Sequence, residues 1–132
     1  MASRSNYTDW HSWLGLPHRL GADPREGEAC CCLKMAHIMM TDLGLNPPDI
    51  EPHWEDLARQ RRWTDLYEAF QLVTIEAPHR EELWSLVPLI TPISFGIGVV
   101  VPDRLLLGVH HRQGLTTVPL DKLHNPSYYI PV

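Results

Sequence analysis

Apolar and polar positions along the chain change period once. Up to Gln71 the spacing is helical; after it, short β-rich runs take over. In "NYTDWHSWLGLPH", Thr8 or Asp9 suits a helix cap, and Trp10, Trp13 and Leu14 fall at i, i+3 and i+4. Gly15 and Pro17 stop that helix. Residues 19–28, "RLGADPREGE", are punctuated by Gly and Asp-Pro and read as a loop. A second helix is predicted from Ala29 to Leu43. Cys30, Leu33, Ala36 or His37, Met40 and Leu43 share its stripe, and Gly44 with "NPP" closes it. "DIEPHWEDLARQRRWTDLYEAF" predicts one or two short helices, with Pro52 in a first turn. Trp54, Leu57 and Ala58 form one apolar face there, and Trp63, Leu66, Tyr67 and Phe70 another.

Five short strands follow: "LWSLVPL", "SFGIGVVV", "RLLLGVHH", "GLTTVPL" and "YYIPV". Helices first and strands afterwards predict an α+β fold, with N-terminal helices packed on a small antiparallel sheet. The five tryptophans sit at core-facing spacings, which favours packing or interface anchoring over a sugar-stacking platform. A chain of 132 residues without repeat or linker is expected to form one domain, 1–132.

Composition narrows the function classes. The chain is 44% hydrophobic and 20% charged, an ordinary globular balance. Sixteen acidic against eleven basic residues give a net charge of −5. Only "RQRR", 59–62, clusters, so a nucleic-acid partner is not expected. The first twenty residues lack the apolar core of a signal peptide, and no apolar run reaches the roughly 18 residues of a membrane span. Synthesis as a soluble cytoplasmic chain, without membrane insertion, is the expectation.

The candidate chemistry lies in "GEACCCLKMAHIMM", 27–40, where Cys30, Cys31 and Cys32 are adjacent. Tetrahedral zinc sites draw ligands from spaced pairs, whereas neighbours on a helix diverge by about 100°. No second cysteine pair exists, so neither a metal site nor another cofactor is expected. Adjacent cysteines are strained as disulfides. Two readings stay open. The cysteines are small apolar filler, or one thiol sits in the first helical turn, where the dipole and orphan N–H groups favour thiolate. The second needs a base such as histidine. Of the eight histidines, His11, His18, His53, His79 and His124 fall in turns or helix starts and read as surface residues, with His18 placed to line a groove.

Residues 13–50, "WLGLPHRLGADPREGEACCCLKMAHIMMTDLGLNPPDI", resemble the NlpC/P60 cysteine peptidases, particularly the small versions encoded in phage tail modules. That family shows a "G-x-P-Y-x-x-G-G" opening, a Gly-rich loop, an Asp-Cys pair starting a helix, and a later "L-G-I-x-x-P". Gly15, Pro17, Gly21, Gly27, Cys30, Leu33, Leu43, Gly44 and Pro47 or Pro48 fall into step with it. "APHREELWSL", "GIGVVVPDRLLLGVHH" and "GLTTVPLDKL" resemble its core strands, so the likeness runs from about Trp13 to Leu120.

The resemblance implies a papain-like core with Cys30 as nucleophile and a base supplied by the sheet. The family's base histidine stands two residues before a strand glycine, here Gly98, so Gly96 occupies its position. The second polar position falls on Gly108, with His110 and His111 close by, and Ala29 replaces the family's Asp. A register slip of two would let His110 serve, on the same strand face. The implied function is a structural or interaction component of a phage tail tip, baseplate or related injection device, with catalysis lost. Its partners would be tail or baseplate subunits, with peptidoglycan peptide as a further ligand, and its place the virion tail. The alternative is an active peptidoglycan endopeptidase in which Cys30 attacks and His110 is base and acid. A toxin or immunity-type protein on the same scaffold is a third reading. The roles of Cys31 and Cys32 stay open.

Overall fold

A computed structural model describes residues 6–42, 53–91, 94–110 and 112–131. A three-ten helix, Asn6–Trp13, leads into a loop and then into α1, Cys32–Asp42. Two further helices follow, α2 (His53–Arg59) and α3 (Trp63–Leu72). The strands are β1 (Thr74–Glu76), β2 (Leu86–Thr91), β3 (Ser94–Val101), β4 (Leu105–His110), β5 (Gly114–Pro119) and β6 (Tyr129–Pro131). They form one sheet in the order β1-β6-β2-β3-β4-β5, with every pairing antiparallel. The α+β architecture expected from the change of period is the one observed.

Alternation along the strands divides the apolar residues between two cores. Ile97, Val99 and Val101 of β3 and Leu107 of β4 meet the helices, together with Trp10, Trp13, Trp54 and the buried residues of α1. Val87, Val100 and Leu106 point the other way, onto Leu120 and Tyr128. Helix α1 is enclosed on most sides: Cys32, Leu33, Met35, Ala36, Ile38, Met39 and Met40 are all buried. Trp10, Trp13 and Trp54 are core residues, while Trp63 and Trp84 are half-buried.

Phe70 of α3 joins the helices to the sheet. Its ring is fully buried and meets Tyr129 edge-on at 5.3 Å and Phe95 at 6.1 Å. Truncation there would leave a cavity among these rings. Phe70→Ala is therefore expected to cost about 3–5 kcal/mol. Urea unfolding checks this; a loss under about 1 kcal/mol would show that the aromatic cluster does not hold the layers together.

Several boundaries differ from the sequence reading. The first helix is three-ten rather than α. The cysteine helix begins at Cys32, not Ala29, because the Cys30 carbonyl, which a helix from Ala29 would give to the Lys34 N–H, accepts the Arg19 N–H of the loop instead. Cys30 N–H donates to Pro17 O (2.8 Å) and Cys31 N–H to Ala22 O (3.1 Å). The first helical bond is then Met35 N–H to Cys31 O, at 2.8 Å. "LWSLVPL" becomes a strand only at Leu86, after Trp84 takes a left-handed backbone at φ 68°. β1 is a sixth strand, paired with β6 through Thr74↔Pro131, Ile75↔Ile130 and Glu76↔Tyr129. The expected stop at Gly44 and "NPP", and the stripe residue Leu43, lie outside the described residues.

Candidate functional site

The segment ahead of α1 is fastened at two points. Gly15 N–H donates to Leu115 O (2.8 Å) and Leu115 N–H to Leu16 O (2.9 Å), which ties the loop to β5. The chain then runs parallel beside Cys30, with Arg19 N–H donating to Cys30 O at 3.2 Å. Further on, Asp23 accepts from the Arg25 N–H (2.8 Å) and from its guanidinium (2.7 Å), closing the turn Pro24–Glu26. The Arg25 guanidinium holds the Asp23 carboxyl below the usual carboxylate range. This loop therefore presents Cys30 in extended backbone, Cys31 as the residue whose carbonyl starts the helix, and Cys32 as its first residue.

All three thiols are free and buried, at 0%, 1% and 9% exposure in chain order. Burial pushes the Cys30 thiol up to about 12, with the neighbouring sulfurs adding to the effect. Burial raises Cys32 as well, next reinforced by Cys31; N–H groups of Ile97 and Leu33 aimed at its sulfur oppose the rise. Both groups are thiols rather than thiolates at neutral pH.

Sheet geometry explains why a strand N–H reaches Cys32. Val100 directs its N–H and C=O to Ser85 and Trp84, on the β2 side. Odd-numbered residues of β3 therefore direct theirs toward β4. The β3–β4 ladder runs from Val101↔Leu105 only as far as Val99↔Leu107, so Ile97 lies beyond it. The sulfur of Cys32 stands in that gap, 3.8 Å from where a Cβ on Gly96 would lie. The glycine that the resemblance places at the base position thus stands beside Cys32, at the sheet edge and on the Leu89 and Val100 face, and Cys30 is set back before the helix.

An apolar cleft of about 230 Å³ opens at this point, lined by His18, Cys31, Cys32, Trp63 and Phe95 among others. His18 lines the groove as its position suggested. Partial burial holds its imidazole below the ordinary value, so it is neutral at pH 7.

His110 lies elsewhere. Alternation places it with Leu106 and Gly108, on the sheet face away from Leu105, Leu107 and Val109, which pack on the helix side. The ring is exposed at the end of β4, where Nδ1 accepts from the N–H groups of Arg112 (3.1 Å) and Gln113 (3.2 Å). Cys30 belongs to the helix-side core, so the fold puts these two residues on opposite sides of the sheet. A slip of two cannot bring them together, since it preserves the face. Gly108 adds no side chain, Ala29 is buried, and His111 lies outside the described residues.

No three His, Cys, Asp or Glu side chains among the described residues are grouped to hold a metal ion. No described helix is long and apolar enough to cross a membrane. What the fold and site define is an α+β domain whose helix start offers thiols and one imidazole to an apolar cleft. Neither a family model nor a curated protein matches the chain.

Proposed function

We propose that this chain is a structural or interaction component of a phage tail tip, baseplate or related injection device, on an NlpC/P60-like scaffold that no longer cleaves peptides. The tail setting rests on the resemblance of residues 13–50 and of the later strands. The loss of catalysis rests on one observation: Gly96 brings no imidazole to the sulfur beside it, and His110 is on the other face of the sheet.

The physical consequence is large. General acid–base help is worth roughly 10²–10⁴-fold, and a buried thiol without it is neither deprotonated nor able to protonate a leaving amine. With Cys30 fully buried and its thiol pushed up to about 12, attack on a wall peptide by this residue has no support from the geometry. Partner subunits would then be recognised by shape and by partly buried aromatics such as Trp63.

Purified peptidoglycan peptide is the direct substrate test. The protein and its Cys30→Ala variant are expected to leave it equally intact, by chromatography of the products. Cleavage that disappears in Cys30→Ala would establish the endopeptidase instead. Quantitative mass spectrometry of purified virions tests the setting: a fixed copy number per tail is expected, and absence from the particle would rule the assignment out.

A further inference from the structure

We propose that the cleft beside α1 is a thiol-acylation site, in which Cys32 accepts a medium-length apolar acyl group from a thioester donor and His18 handles the proton. The cleft walls are Leu20, Leu33, Trp63, Leu66 and Phe95, so its interior suits hydrocarbon. Its volume of about 230 Å³ leaves room for a medium-length apolar chain. Cys31, Cys32 and His18 supply the polar features of that wall. His18 is tied by the backbone bridge to Cys30, two residues before Cys32, which fixes the loop that carries its imidazole.

The step balances without an external oxidant or reductant. The Cys32 sulfur attacks the thioester carbon while the neutral imidazole of His18 takes the thiol proton. A new S–C bond forms, the donor's S–C bond breaks, and the proton leaves with the donor thiol. The N–H groups of Ile97 and Leu33, already aimed at this sulfur, favour its anionic form as the proton passes to His18. A thioester donor fits better than an amide, because a thiol leaves without the strong protonation that an amine needs. Cys30, fully buried and set back before the helix, does not line the cleft. This site is independent of the tail assignment and of peptide cleavage.

The test uses the full chain with the octanoyl thioester of N-acetylcysteamine, followed by intact mass and peptide mapping. One octanoyl group per chain is expected, mapped to Cys32 and released by neutral hydroxylamine as a thioester must be. Cys30→Ser should label normally, and Cys32→Ser should not label while keeping the wild-type melting transition. His18→Ala should slow labelling at least about tenfold. The acetyl thioester should react more slowly, by about fourfold for each methylene the cleft no longer buries. Label on Cys30, on Cys31 or on a lysine would overturn the proposal. So would equal rates for acetyl and octanoyl donors, or an unlabelled, folded wild-type chain.

Discussion

Gly114→Ala is expected to destabilise the fold by about 2–5 kcal/mol. Gly114 has a left-handed backbone, φ 72°, which costs a residue with a Cβ about 1–2 kcal/mol. Its Cβ would also overlap the Leu16 carbonyl oxygen and approach Gly15 O to 2.8 Å. The Leu16 oxygen accepts the Leu115 N–H, so it cannot move away without breaking the bond that ties the loop to β5. Overpacking of this kind adds about 1–3 kcal/mol. Gly15→Ala is the control: φ there is 90°, but nothing lies within 4 Å of the added Cβ. It should pay the conformational term alone, about 1–2 kcal/mol. Urea unfolding of the two variants separates the effects. Equal losses would mean that the close approach of loop and strand contributes nothing. Because the same loop carries Pro17 and His18 to the cleft, Gly114→Ala should also weaken the placement of His18 beside α1.

Gly96→His is expected to raise the alkylation rate of Cys32 by iodoacetamide on the order of 10²-fold, the lower end of general-base assistance. The added Cβ would stand 3.8 Å from the Cys32 sulfur, an ordinary contact, so a side chain fits at its root. An imidazole carried there can reach hydrogen-bond distance of that sulfur, and it supplies what burial withholds: a partner that favours the thiolate. The sign of the pH dependence follows. An imidazole of ordinary pKa, about 6.5, acts as a base only when neutral, so the gain should appear as pH rises through that value and vanish below it. Gly96→Ala, which adds the Cβ without the ring, should leave the rate unchanged. A Gly96→His protein that alkylates no faster than the Ala variant, or that alkylates at Cys30, would show that a ring at position 96 does not reach the reactive sulfur.

The strands from Ser94 to Pro119 could be read from the chain because their signals are local. Alternating Val, Ile and Leu broken by Pro102-Asp103 and Gln113-Gly114 specify strand, turn and face within a few residues. The apolar stripe of α1 and the α+β order were readable for the same reason. Other features rest on hydrogen bonds to residues distant in sequence, for which no local pattern exists. α1 begins at Cys32 because the Cys30 carbonyl is taken by the Arg19 N–H of the loop and not by the helix. β1 is three residues long, too short for a periodic signal, and becomes a strand only by pairing with β6 across more than fifty residues. The site depended most on tertiary structure. Spacing could place Cys30 in a first turn and His110 near a sheet position, but only the assembled sheet assigns faces. It sets His110 away from the helices and aims the unpaired Ile97 N–H at Cys32.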